Sequence, residues 1–261
     1  ILSEMGDRFL IATAITNLAL AQLAIGDWSG ADDSLFRLPH PQLEHDSFLI
    51  GVQVLLAGLR GDAESAAALV DRLGELGESD DPQDIAVIAT SRAFTAHAQD
   101  DRSAALRHAL DSIDAFRGSV SFGGDDGRWT WPLAARTAHD LRQFELESDL
   151  ADMCEELPVA ETAPMQRAEV ALIRARLASV GHEPDADERF AAAITQLREH
   201  STPYHLAHGL LDHAEHVRST GSTTGDSADE WIDEACAIAD RLLCRPLLER
   251  AGHIPSSSIP A

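Results

Sequence analysis

Five histidines and one aspartate, His200, His205, His208, Asp212, His213 and His216, crowd into one stretch of the 261-residue chain. At about 100° per residue along a helix, His205, His208, Asp212 and His216 fall in a stripe about 80° wide. Leu206, Leu210, Leu211, Ala214 and Val217 occupy the other side. Imidazoles and a carboxylate spaced i, i+3 or i+4 can coordinate a metal ion from a helix. However, the His-Glu-x-x-His pattern of hydrolytic zinc helices is absent, and no cysteine lies nearby. The preferred reading is therefore the polar face of an amphipathic helix, holding no metal. On the wall of a groove the same stripe would make binding pH-sensitive, because histidine titrates near neutrality.

Other chemistries find less support. All 20 basic residues are Arg and the chain has no Lys. That removes the phosphate-binding Lys of a P-loop, the amine of a Schiff-base enzyme and the strand Lys of a kinase. Gly221-Ser-Thr-Thr-Gly225 has the spacing of a nucleophile elbow, but Thr223 stands at its centre and no strand precedes it. The paired carboxylates Asp32-Asp33, Asp80-Asp81, Asp125-Asp126 and Glu155-Glu156 are adjacent in sequence. On a helix they diverge by about 100° and share no site. No catalytic residue and no cofactor are expected.

The net charge of -24, from 44 acidic against 20 basic residues, repels phosphate backbones and anionic headgroups, so neither nucleic acid nor membrane is an expected partner. Cys154, Cys236 and Cys244 are too few and too unevenly spaced for a disulfide framework or a zinc knuckle, and read as small core residues. With no secretory leader and no apolar run near 18 residues, the expected compartment is the cytoplasm. The chain opens on Ile1-Leu2-Ser3 with helical periodicity under way by Arg8, which reads as a piece of a longer protein.

What positions these residues is a repeat. Ala and Leu supply most of the apolar content and aromatics only 5%, a mix that favours helix. Turn signatures at Gly26-Asp27, Gly61-Asp62 and Asp100-Asp101 stand 35 and 39 residues apart, near the period of a helix-turn-helix solenoid. Weaker turns at Glu147-Ser148-Asp149, Gly181 to Pro184 and Gly221 to Asp226 continue the series. In the first unit Ala14, Leu18, Ala21 and Ile25 recur at helical spacing. Gly26 is placed to take a left-handed conformation and Asp27 to cap the next helix, with Ala19 and Ala31 at the helix crossing. The predicted fold is all-α, a tetratricopeptide-like α-α superhelix, or solenoid, of about six helical hairpins. Residues 1-117 form the first three hairpins, 118-131 a Gly-rich loop, 132-252 the last three, and 253-261 a disordered tail, with Pro132 in the first turn of its helix. Trp129 and Trp131 beside Arg128 offer a stacking platform, but filling the gap between two half-solenoids is the preferred role. The concave face is the expected binding surface, with Asn17, Trp129, Trp131, His205, His208 and Asp212 as candidate groove residues.

Asn17-Leu18-Ala19, Gly26-Asp27-Trp28 and Ala31 look like the tetratricopeptide consensus, with Ala19 for its Gly and Trp28 for its Tyr. The stretches Phe190 to Ile194, Ser201 to His208 and Ala237 to Glu249 resemble the C-terminal helical repeats of large actinobacterial signalling proteins. In these a nucleotide-cyclase-like or LuxR-type regulatory module is joined to a P-loop ATPase and then to such an array. The resemblance implies a non-catalytic arm that binds a protein, a peptide or another domain of the same polypeptide. The alternatives are a small-molecule sensor with a pocket near Trp129 and Trp131, and a metal-dependent site on the His205 to His216 helix.

Overall fold

The structure, a computed structural model, describes residues 8–36, 46–74, 79–119, 124–220 and 225–254. The described residues form helices and connecting turns, with no strand among them. The chain divides into two compact units, 1–143 and 144–261. The first unit holds α1 (Arg8–Ile25), α2 (Trp28–Phe36), α3 (Ser47–Arg60), α4 (Ala63–Asp71), α5 (Pro82–Ala98), α6 (Arg102–Ser119) and α7 (Asp125–Asp140). The second holds α8 (Phe144–Glu155), α9 (Pro164–Val180), α10 (Ala186–His200), α11 (Pro203–Thr220), α12 (Gly225–Leu242) and α13 (Arg245–His253). None of these helices is long and apolar enough to cross a membrane.

Two adjacent residues make each sharp reversal. Gly26, Gly61 and Asp100 adopt positive φ of 82°, 75° and 56°. The next amide then reaches back to close the helix: Asp27 N to Gln22 O at 2.9 Å, Asp62 N to Ala57 O at 2.9 Å, and Asp101 N to Ala96 O at 3.0 Å. This is the Schellman closure of a helix end. The same aspartates open the following helix, their Oδ1 accepting from the amides of Gly30, Ser65 and Ala104 at 3.0, 3.1 and 3.0 Å. The closure recurs at Arg142, His182 and Leu243, with φ of 58°, 55° and 55°, where Gln143 N reaches Ala138 O, Glu183 N reaches Ala178 O and Cys244 N reaches Ala239 O. Among the described residues the six reversals follow one another at intervals of 35, 39, 42, 40 and 61 residues.

Three expectations are corrected. Glu147-Ser148-Asp149 is no turn, because α8 spans Phe144–Glu155 and the reversal falls at Arg142. Arg142, unlike glycine, aspartate or asparagine, is not a residue that favours positive φ, so its sequence does not mark the reversal. Of the expected loop 118–131, residues 120–123 lie outside the described residues, while α6 runs to Ser119 and α7 starts at Asp125, which makes Trp129 and Trp131 helical and puts Pro132 inside α7, past its first turn. The two compact units part after Gln143 instead, since α7 packs on α5 and α6. Finally, Ala14, Leu18, Ala21 and Ile25 form the exposed face of α1, with Ile25 73% exposed, while Ile11, Ala12, Ala19 and Leu23 are buried. α1 carries Ala, Leu and Ile all round, so periodicity alone does not choose its packed side. The expected tail from 255 onward lies outside the described residues.

Packing follows one rule within each unit. Each odd-numbered helix touches the next odd-numbered one: α1 on α3, α3 on α5 and α5 on α7 in the first unit, and α9 on α11 and α11 on α13 in the second. Even-numbered helices pack against their chain neighbours. In the first unit Val54 and Ala57 of α3, Ala66 and Leu69 of α4, Leu73 beyond it and Ile88 of α5 share one buried cluster. Ala19 and Ala31 are fully buried at the α1–α2 crossing.

Candidate functional site

Among the described residues, odd-numbered helices alone line a cavity of about 210 Å³ in the first unit. α1 contributes Thr16, Asn17 and Leu20, and α3 contributes Phe48, Gly51, Val52 and Leu55. α5 adds Val87, Thr90 and Ser91, and α7 adds Trp129. Thr16, Gly51 and Val87 stand 35 and 36 residues apart, so the cavity repeats one position of the helical unit. None of the described lining residues is ionisable, although a quarter of the chain is charged. Asn17 is exposed and Trp129 buried. Behind the wall, Thr90 Oγ1 shares hydrogen bonds with Ser112 Oγ at 2.8 Å and Thr130 Oγ1 at 3.1 Å. Two lining hydroxyls differ: Thr16 Oγ1 and Ser91 Oγ are enclosed and meet no hydrogen-bond partner among the described residues.

Of the residues singled out by sequence, Asn17 and Trp129 come together here, and Trp131 does not join them. Trp131 is fully buried and is not part of the cavity wall. Thr16, Gly51, Val52 and Ser91 were missed. Their signal was available in the repeat, since aligning the odd-numbered helices puts small or β-branched residues at one recurring position.

His205, His208 and Asp212 lie in the second unit and are buried rather than on a solvated polar face. α11 is enclosed nearly all round from Tyr204 to Ala214. Each side chain of the stripe makes a hydrogen bond or ion pair to a neighbouring side chain. The Thr202 hydroxyl caps α11, accepting from His205 N at 3.2 Å, and lies 2.7 Å from His205 Nδ1. His216 Nδ1 meets Ser179 Oγ at 2.7 Å, and His208 Nδ1 accepts from Arg250 at 3.2 Å. Asp212 is held by Arg250 at 2.5 Å and Arg176 at 3.4 Å. Arg176 also donates to Glu147 at 2.9 Å, and Arg250 to Glu215 at 2.8 Å. A row of alternating charge therefore runs Glu147, Arg176, Asp212, Arg250, Glu215 across α8, α9, α11 and α13. Among the described residues no three His, Cys, Asp or Glu side chains form a metal-binding group. The arrangement is one of mutual neutralisation, which holds helices together.

His213 is stacked at 3.9 Å on Trp231 and at 5.2 Å on Phe190, which also meets His216, and its Nε2 lies 2.7 Å from Asp187. Burial lowers its pKa, opposed by Asp187. Burial also pushes the Cys154 thiol up to about 11 and the Cys244 thiol to about 12, so both stay protonated and inert at neutral pH.

His97, at the end of α5, carries the larger pH consequence. Burial and the nearby Arg136 lower its pKa from 6.5 to about 4. Its folded value thus lies below its unfolded one. The stability it lends is complete above pH 6.5 and is lost as pH falls towards about 4. Between pH 7 and pH 4.5 the wild-type melting temperature is expected to fall further than that of His97→Gln, as read by circular dichroism. Parallel curves for the two proteins would refute the assignment.

No family model matches this sequence, and no curated protein matches it. Among solved structures, the crystal structure of BtubC (BKLC) from P. vanneervenii is similar, with a TM-score of 0.51 and 16% identity, covering 85% of this chain and 91% of that one. At that identity the likeness concerns the fold alone.

Proposed function

We propose that the chain is a non-catalytic helical-repeat arm that binds a protein or peptide segment on the face formed by its odd-numbered helices. In this reading about six hairpins stack as a tetratricopeptide-like solenoid. The recurring reversals, the packing of each odd helix on the next and the resemblance of Asn17 to Ala31 to the repeat consensus support it. The observation that carries the binding role is the cavity lined by α1, α3, α5 and α7 and by no even-numbered helix. Exposed Asn17 at its rim supplies an amide that can both donate to and accept from a passing backbone. The arm serves a larger cytoplasmic regulator, an ATPase or cyclase-like protein, as the resemblance of the later repeats implies. Nucleic acid and membrane are not its partners, given the charge of -24.

The cavity volume bears on the small-molecule alternative. Pockets for drug-sized ligands enclose about 300–1,000 Å³, and 210 Å³ is nearer the room taken by one anchoring side chain. The test is a peptide selected from a random display library on the full chain. Leu20→Arg, which puts a charge in the wall, and Asn17→Ala are expected to weaken it about tenfold or more, with unchanged circular dichroism. Unchanged affinity in both variants would sink the proposal.

A further inference from the structure

We infer that the exposed stripe of α1, formed by Ala14, Leu18, Ala21 and Ile25, receives the second helix of a further helical hairpin of the same polypeptide, standing to α1 as α2 stands to α3. The stripe shares no residue with the cavity wall, so the inference holds whatever the odd-numbered face binds. It comes from setting the odd-numbered helices in one register. The reversals at Gly26, Gly61, Asp100, Arg142 and His182 end α1, α3, α5, α7 and α9. Residues at equal distance before each reversal are therefore equivalent.

Twelve residues before the reversal stand Ala14, Leu49, Ile88, Thr130 and Val170. The last four are buried and Ala14 is exposed. Five residues before it, Leu56, Thr95 and Thr137 are buried and Leu177 half-buried, while Ala21 of α1 is exposed. At two further positions the cover can be named. Eight residues before the reversal, Gln53 Nε2 of α3 donates to Leu35 O of α2 at 2.9 Å, and Arg174 of α9 donates to Ser148 Oγ of α8 at 3.1 Å. One residue before it, Arg60 of α3 pairs with Asp32 at 2.9 Å and donates to Trp28 O at 3.2 Å, both on α2. In α3 and α9 alike, this side of an odd-numbered helix is met by the even-numbered helix just before it in the chain. α1 carries Leu18 and Ile25 at these two positions, 53% and 73% exposed.

The residue types say what the cover is made of. In α5 the position eight residues before the reversal is exposed, and it is held by Arg92. A helix that closed a repeat array would likewise carry a polar outer face, whereas α1 presents leucine and isoleucine. With Leu18 in place of Gln53 and Ile25 in place of Arg60, the incoming helix offers apolar side chains where α2 offers a carbonyl and a carboxylate. The spacing of the stripe, four, three and four residues, is that of a seam for one helix, and Ala14 and Ala21 let it approach closely. α1 has no acidic residue, in a chain with 44. A second copy of the chain fits this seam less well, since each copy brings a charge of -24 to the encounter.

The experiment joins one consensus tetratricopeptide hairpin, with leucine and alanine along the outer face of its second helix, to the N-terminus of the full chain by a short Gly-Ser linker. The melting temperature is expected to rise by about 5 °C or more. Amide exchange from Ala14 to Ile25 should slow at least about tenfold. The same hairpin with serine in place of those leucines should do neither. Leu18→Glu/Ile25→Glu should abolish both effects in the fusion, yet leave the melting temperature of the chain alone within about 2 °C, because both side chains face water there. No rise, or an equal rise with the serine hairpin, overturns the inference. So does a double variant that destabilises the chain alone as much as the fusion, which would mean that the stripe is already packed. A chain that sediments as a dimer and becomes a monomer in the double variant overturns it in favour of a second copy.

Discussion

Replacing Arg176 by Met should lower the unfolding free energy by about 3–5 kcal/mol, the cost of breaking a buried ion pair by removing one partner. The Arg176 side chain is 3% exposed, and its partners Glu147 and Asp212 are 0% and 5% exposed. Met fills the space of the stem but supplies no charge. Glu147 then keeps its desolvation without its cation, while Asp212 retains Arg250. The companion variant Glu147→Leu/Arg176→Met removes both charges together and should lose distinctly less than the single change. Urea unfolding of the two variants and of Glu147→Leu gives the coupling. A single-variant loss below about 1 kcal/mol would show that the row of charges does not hold α8 to α9.

Gly58→Ala should cost about 1–3 kcal/mol, although alanine is the better helix former. Gly58 lies where α3 meets α5, and a Cβ there would sit 2.7 Å from Phe94 Cβ and 2.8 Å from Phe94 O. A side-chain tip could move aside, but a carbonyl oxygen in a helix moves only with the helix. The two odd-numbered helices would have to part, opening the packing around Phe94, which is 1% exposed. Gly252→Ala in α13 provides the control, since nothing lies within 4 Å of its added Cβ. It should leave stability unchanged or raise it by up to about 1 kcal/mol. Thermal melts of the pair separate close helix approach from helix propensity, and equal melting temperatures would remove the argument for a tight α3–α5 contact.

The sequence made the all-helical class and the first three reversals legible for a local reason. Gly26 and Gly61 can take positive φ without strain, and Asp27, Asp62 and Asp101 cap with their own side chains. Each turn is thus written in two adjacent residues. Arg142 and His182 adopt the same backbone shape with side chains that disfavour it. At His182 the neighbouring Gly181 and Pro184 mark the turn in the sequence, whereas at Arg142 no local residue announces it. The His205 to Asp212 stripe was misjudged on the same grounds. Its chemistry depends on Arg176 and Arg250, which stand 36 residues before and 38 after Asp212. Helical periodicity ranks the faces of one helix and says nothing of charges that arrive from neighbours.

The cavity illustrates the opposite case. Asn17 and Trp129 drew notice by type, but the residues that give the site its character are Thr16, Gly51 and Ser91, unremarkable in themselves. They become informative when the odd-numbered helices are laid side by side at intervals of 35 and 36 residues from Thr16 to Val87.

The central claim is that the odd-numbered helices of the first unit form the binding face. Hydrogen exchange of the full chain, with and without the tightest display-selected peptide, tests it most directly. The account predicts slowed exchange at residues 16–20, 48–55 and 87–91, from three helices far apart in sequence. Slowing confined to the even-numbered helices α2, α4 and α6, or to the second unit, would contradict it.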